Sequence, residues 1–122
     1  ALDKAVQNIS ENDSRVHRIT NGHSIINVKP GSILYIESIK RKLVYTCTDN
    51  TIEVYGKLSD VQQQLGSGFV RCHKSFLVNL SYISEILPWA NNGFALKMQG
   101  YEQNILPVSR EKIKTLRQLW DF

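Results

Sequence analysis

The sequence has few of the residues that define specialised protein classes. It contains 2 cysteines, 3 prolines and 7 glycines among 122 residues, which excludes a disulfide-rich scaffold and a low-complexity chain. Its longest apolar stretches, such as residues 32–36 and 76–78, are too short to span a membrane. No basic start precedes an apolar segment, as it would in a signal peptide. These absences favour a cytoplasmic setting with reduced thiols and no membrane partner.

Motifs of enzymes and of cofactor sites are also missing. The chain has no glycine-rich nucleotide loop, no HExxH and no GxSxG. The three histidines, His17, His23 and His73, are scattered without the spacing of metal ligands. Cys72 precedes His73, but neighbouring side chains on a strand point to opposite faces, so Cys72 is interpreted as a small core residue. We predict a non-enzyme with no catalytic residue, cofactor or metal.

What the sequence does contain indicates one basic domain. Hydrophobic residues make up 42% and charged residues 21%, enough to build a core and too apolar for a disordered chain. From residue 18 onward there are 13 cations against 8 anions. The cations cluster at Lys40-Arg41-Lys42 and again over residues 110–117. Such clustering suits a polyanionic partner, although many basic proteins bind none.

The pattern along the chain predicts a mostly β domain with short helices. Apolar spacing predicts a helix over residues 1–10, and we expect residues 1–17 to connect a missing N-terminal domain to a domain over 18–122. Because the chain begins at Ala1 rather than Met, we expect a longer parent protein. Strands are predicted at 24–28, 32–37, 43–48, 51–55, 69–78, 82–87, 94–98 and 102–108.

Two further helices are predicted in the body of the domain. The first covers residues 58–65, with Ser59 as its cap and Gly66 ending it. The second follows Ser109 as its cap, and its apolar stripe of Ile113, Leu116, Leu119 and Trp120 is expected to pack in the core.

Three short segments carry candidate contacts to a phosphate or a base edge. In residues 69–79 the alternation shifts at Lys74, which predicts a bend that pushes His73, Lys74 and Ser75 outward. A solvated turn with a buried His73 is the alternative. Arg110 after Ser109 combines a guanidinium with a helix start, or is simply a surface arginine. The cationic run of residues 40–42 between two strands either binds an anion or only increases the solubility of the protein.

Several segments together resemble the signature of LytTR domains. They are Phe69-Val-Arg-Cys-His-Lys-Ser-Phe-Leu-Val-Asn79 and Ile105-Leu-Pro-Val-Ser-Arg110. Ile33-Leu-Tyr-Ile-Glu-Ser38 and residues 58–65 occur in the family's order, so the similarity covers about residues 18–120. LytTR domains are the DNA-binding output modules of bacterial response regulators, the transcription regulators of two-component systems. The sequence is also similar to the accessory gene regulator type.

The resemblance implies an elongated, mostly β fold of antiparallel sheets with short helices. It implies sequence-specific binding to double-stranded promoter DNA, with loops inserted into successive major grooves and two copies paired on imperfect direct repeats. A receiver domain would precede residues 1–17. The implied DNA-binding residues form three sets: Lys40, Arg41 and Lys42 at one groove, His73, Lys74 and Ser75 near the middle, and Ser109 and Arg110 at the other groove.

Two other hypotheses remain open beside DNA binding. Exposed β edges can recruit protein partners, and exposure of Trp89 and Phe122 would favour such an interaction module. Cys72 matches a cysteine used for redox sensing by some relatives, but its possible partner position aligns with Ile105. Thiol labelling of the folded protein separates a reactive Cys72 from a buried one.

Overall fold

The computed structural model describes residues 16–66 and 68–120. The described part is mostly β, as the sequence predicts, and the predicted helix over residues 1–10 and Phe122 lie outside it. In chain order the elements are β1 His17–Asn21, β2 Ser24–Val28, β3 Ile33–Ile39, β4 Lys42–Cys47, β5 Thr51–Tyr55, α1 Leu58–Leu65, β6 Phe69–His73, β7 Phe76–Asn79, β8 Ile83–Trp89, β9 Gly93–Met98, β10 Tyr101–Val108 and α2 Arg110–Trp120.

The strands form three antiparallel sheets. β1 and β2 make a two-stranded hairpin, β8–β10 make a three-stranded sheet, and the remaining strands make a five-stranded sheet in the order β5-β4-β3-β7-β6. All strand pairings are antiparallel. Within the five-stranded sheet, β3 pairs with β4 on one side and with β7 of the β6–β7 hairpin on the other. Its pairing with β7 therefore fixes where those two hairpins lie relative to each other.

The five-stranded sheet is covered on both faces by apolar residues. One core joins it to the β1–β2 hairpin and α1, and the other joins it to the three-stranded sheet and α2. This arrangement explains the unbroken apolar run Ile33–Ile36, because a strand buried on both faces needs no polar side. Ile33 and Ile36 share the first core although they are three positions apart, since a β-bulge between Ile33 and Tyr35 shifts the alternation.

Two expectations about the helices were wrong in detail. Lys57, not Ser59, occupies the cap position of α1 and makes no side-chain cap. The helix has the predicted bounds, and Ser59 lies within its first turn because Leu58, its first residue, is buried with Val61 in the first core. In α2, Leu116 is fully buried but Leu119 is 42% exposed, because its six-residue offset from Ile113 turns it away from the buried face. No helix in the described residues has both the length and the apolar composition to cross a bilayer.

Candidate nucleic-acid interface

The turn between β3 and β4 holds two cationic residues in an unusual backbone conformation. Lys40 and Arg41 have φ angles of 46° and 69°, the left-handed region that Asn and Gly usually occupy in two-residue hairpins. Each such non-glycine residue costs on the order of 1 kcal/mol. The carbonyl of Arg41 accepts a hydrogen bond from the Gly56 amide at 3.2 Å. Lys42 begins β4, and its Nζ lies 5.6 Å from the centre of the Tyr55 ring.

The turn between β6 and β7 carries the middle candidate set. The expected bend is a complete hairpin: His73 pairs with Phe76 after a bulge, and Lys74 and Ser75 form the connection. The Ser75 amide donates to His73 Nδ1 at 3.1 Å. Arg71 Nη2 donates to the Lys74 carbonyl at 2.8 Å. Lys74 is exposed while His73 and Ser75 are half-buried, so the turn projects outward and its lysine is free to meet a partner.

Ser109 and Arg110 start α2 beside the end of β6. The Ser109 amide donates to the Cys72 carbonyl at 2.8 Å, and the Ser109 carbonyl accepts from the Lys112 amide at 2.9 Å. Arg110 is exposed, and its Nη2 donates to the Asn91 carbonyl at 2.6 Å. This bond holds the guanidinium against the β8–β9 turn and leaves most of its N–H groups available.

The topology brings all three sets to one end of the five-stranded sheet. β3 and β6 run toward this end and β4 and β7 run away from it, so both hairpin turns lie there. The Ser38 amide donates to the Ser75 carbonyl at 2.8 Å, which ties the two turns together. The bond from Ser109 to Cys72 adds the start of α2. We call this surface, formed by residues 40–42, 73–75 and 109–110, the turn edge.

A cleft of about 520 Å³ opens between the second and third sets. His73 and Arg110 line it together with Trp89, whose side chain is 52% exposed. A second cleft of about 750 Å³ lies under the β3–β4 turn and is lined by Arg41 and Arg71 among others. The turn edge therefore alternates projecting cationic turns with concave surfaces.

Sequence reasoning missed two residues at this edge. Arg71 was assigned only a position in an alternating strand, and the carbonyl it binds cannot be read from spacing. Trp89 was considered only as a sign of protein interaction, but it lies on the same cleft as Arg110. The available signals were the cationic character of Arg71 inside an apolar strand and the position of Trp89 next to a turn. No group of three or more potential metal ligands occurs in residues 16–66 and 68–120.

Cys72 lies behind the turn edge and is inaccessible. Its side chain is fully buried and its Sγ lies 3.5 Å from the Pro107 carbonyl. Burial raises the pKa of this thiol to about 12. The interpretation of Cys72 as a core residue is therefore confirmed, and the structure disfavours a directly reactive thiol.

We expect Cys72 to resist thiol labelling in the folded protein. A pKa near 12 lowers the thiolate fraction at neutral pH by about a thousandfold relative to an ordinary cysteine. A Cys47→Ala variant, which leaves Cys72 as the single thiol, should react slowly with an aromatic disulfide at pH 7.5 and rapidly in urea. Fast reaction of the native protein would instead restore the redox hypothesis.

Comparison with known proteins gives consistent results. A family model described as LytTr DNA-binding domain matches residues 23–121. Transcriptional regulatory protein YpdB of Escherichia coli K12 is 36% identical over 110 residues, covering 89% of this chain and 44% of the relative. Sensory transduction protein LytT of Bacillus subtilis strain 168 is 40% identical over 75 residues, covering 62% of this chain and 28% of the relative. The chain thus spans less than half the length of these relatives.

A solved structure also matches. The LytTr DNA-binding domain of a Bacillus cereus response regulator has a TM-score of 0.73 and 27% sequence identity, covering 88% of this chain and 97% of that chain. The match extends over nearly all of the solved domain, so the two chains share the fold.

Proposed function

The chain belongs to the LytTr family of DNA-binding domains, and from this premise we propose that it is the output domain of a bacterial response regulator that binds promoter DNA sequence-specifically. Membership makes it a DNA-binding domain and not an enzyme. Its similarity to the regulators YpdB and LytT supports a role in transcription regulation within a two-component system. We further propose that residues 1–17 connect it to a receiver domain and that it acts on cytoplasmic DNA.

The observation that carries this proposal is the turn edge. Three cationic sets that are far apart in sequence lie at one end of one sheet. A major groove is about 12 Å wide and admits a two-stranded β-ribbon, and the β3–β4 and β6–β7 hairpins project two such ribbons. We propose that the residues of the turn edge contact DNA, with Arg41 and Arg110 entering successive major grooves.

The three sets suit different parts of a duplex. Arg41 and Arg110 are exposed arginines, and the planar guanidinium matches guanine O6 and N7. Lys74 is a point charge at the tip of a turn and suits a phosphate between them. Binding of two copies to imperfect direct repeats is the proposed mode on promoters.

Selection from random duplexes tests this function directly. The domain is titrated against a randomised pool, bound sequences are recovered, and the titration is repeated across salt concentrations. We expect enrichment of a repeated motif and an affinity that falls steeply as salt rises. Binding without enrichment would reduce the function to general polyanion binding, and folded protein that binds no duplex would contradict the proposal.

Replacing Lys74 by alanine should weaken binding to selected and random duplexes alike. A phosphate contact releases counterions, so its loss lowers the slope of log affinity against log salt by about 0.9. The measurement is a set of titrations at four salt concentrations. Lys29→Ala is the matched control, because Lys29 is exposed and lies before β3, at the opposite end of the sheet. Equal slopes for both variants would remove Lys74 from the phosphate contacts.

A protein-interaction module is the second candidate function. The observation that favours it is the 52% exposure of Trp89, an aromatic residue type enriched at protein interfaces. Trp89 shares a cleft with Arg110, so the two functions would use the same surface. We therefore expect the selected DNA to displace a protein partner that binds at Trp89.

A further inference from the structure

The cleft under the β3–β4 turn has the composition of an anion site. It lies between that turn, the end of β5 and the start of α1. Three cationic residues line it: Arg41, Lys57 and Arg71. The other lining residues are uncharged, so no carboxylate among the described residues neutralises the cleft from within. Asp60 in the first turn of α1 lines the neighbouring groove beside His17 instead.

Arg71 reaches this cleft with unused hydrogen-bonding capacity. Its Nη2 donates to the Lys74 carbonyl, while its Nε is sheltered from solvent and has no acceptor within the described part of the chain. A sheltered N–H without an acceptor costs free energy that an oxygen in the cleft would recover after a small rotation of the guanidinium. Arg71 therefore differs from an ordinary surface cation, whose N–H groups are satisfied by water.

The start of α1 adds to the positive electrostatic potential of the cleft. Lys57 stands at the cap position with no side-chain cap, so the amides of the first turn remain available to an external acceptor. The positive end of the helix dipole points the same way. This end alone is a weak feature, but here it faces two arginines in one concave surface.

We propose that this cleft binds a phosphate group, held by Arg71 and Lys57 beside the turn of Arg41. The proposal rests on the proposed function for its source, a backbone phosphate of the bound duplex. Arg41 belongs both to the cleft and to the turn edge, so a groove that receives the β3–β4 turn brings its flanking phosphates to the cleft. A free phosphate offers the same chemistry, and the experiment separates the two sources.

The first measurement compares two variants matched in charge. R71Q/K57Q removes both cations of the cleft, and K29Q/K97Q removes two lysines away from the turn edge, one before β3 and one paired with Glu85 at 3.6 Å. We expect only the first variant to lower the slope of log affinity against log salt by about 0.9. If the variant and the unaltered domain bind equally at 1 M salt, this change makes the variant's affinity about fivefold weaker at 0.15 M salt. Equal losses in the two folded variants would overturn the assignment to DNA.

The second measurement uses the unaltered domain, so it does not depend on the folding of a variant. The Arg71 Nε–H resonance is followed by ¹H–¹⁵N NMR during titration with the selected duplex and, separately, with inorganic phosphate, with chloride as the control anion. Shifts with both ligands support the proposal. A shift with phosphate alone assigns the cleft to a free phosphate and overturns the DNA source. No shift with either ligand overturns the site.

Failure of the proposed function gives a different pattern. If no duplex binds to the folded domain, the DNA-binding proposal fails, and the phosphate titration still decides whether the cleft is an anion site. If duplexes bind specifically but the Arg71 resonance stays unchanged and the variants behave alike, the DNA-binding proposal stands and the cleft proposal fails.

Discussion

Replacing Arg110 by alanine is expected to weaken binding to the selected DNA by about 1–3 kcal/mol and to relax sequence preference at one base pair. The hydrogen bond to the Asn91 carbonyl holds the guanidinium in place before DNA arrives, so little conformational entropy is lost when it meets a base. The measurement is a pair of titrations with the selected duplex and with a duplex altered at the contacted position.

Arg110→Lys separates the shape of the side chain from its charge. Lysine keeps the cation but lacks the planar fork, so it should restore non-specific affinity without restoring discrimination. Lys114→Ala removes a cation one helical turn later on α2 and shows whether the effect depends on the position of the charge. If Arg110→Ala weakens all duplexes equally, Arg110 contacts a phosphate, and if it changes nothing, Arg110 lies outside the interface.

Replacing Asn79 by leucine should cost about 2–4 kcal/mol of unfolding free energy, because it breaks two hydrogen bonds and strands a buried carbonyl. Asn79 is 6% exposed. Its Nδ2 donates to the Ile33 carbonyl at 2.9 Å and its Oδ1 accepts from the Ser81 amide at 3.0 Å. The side chain therefore joins the end of β7 to the start of β3 and caps the following turn.

Urea denaturation of the purified domain measures this loss. Asn27→Leu is the matched control, because Asn27 is exposed on β2 and its replacement should change stability by no more than about 0.5 kcal/mol. A loss for Asn79→Leu as small as that of the control would show that the Ile33 carbonyl finds another partner.

Most of the element order was predictable from the sequence because the patterns were locally consistent, although β1 was not predicted. Residues 51–55 and 58–65 are a strand and a helix with the predicted bounds. The apolar residues of the first segment alternate as in a strand, and those of the second recur at the helical spacing. Residues 69–78 were predicted as one bent strand. They form two strands joined by a tight turn, and the hairpin was missed because Lys74 and Ser75 are not among the glycine, asparagine and aspartate residues that mark a hairpin turn.

The site was predictable in its residue types and not in its assembly. Cationic runs, a register shift and a helix start are local features, so each of the three sets could be located. Their common position depends on the pairing of β3 with β7, which sequence periodicity does not encode. The DNA contacts assigned to these residues stay predictions, as does the division at residues 17 and 18.

Contacts made by a single side chain over a long sequence distance were out of reach. Asn79 is polar but buried, and its amide donates to the Ile33 carbonyl, 46 positions earlier, a contact that the alternation along the strand does not encode. The bond from Arg110 to the Asn91 carbonyl likewise depends on a backbone group exposed by a turn, where Asn91 adopts a φ of 59°. Such groups carry no residue-type signal.

The pairing of β3 with β7 also determines when the turn edge exists during folding. Tyr35 pairs with Val78 and Glu37 with Phe76, partners about 40 positions apart, so this docking closes a longer loop than either hairpin and is expected to form after them. The two hairpins are local and form on a microsecond scale of about 1–10 μs. A chain caught between hairpin formation and docking carries the charges without their spacing. Because the proposed DNA contacts lie on both hairpins, we expect such a chain to bind nucleic acid only as any polycation does and to distinguish DNA sequences only after the two hairpins dock.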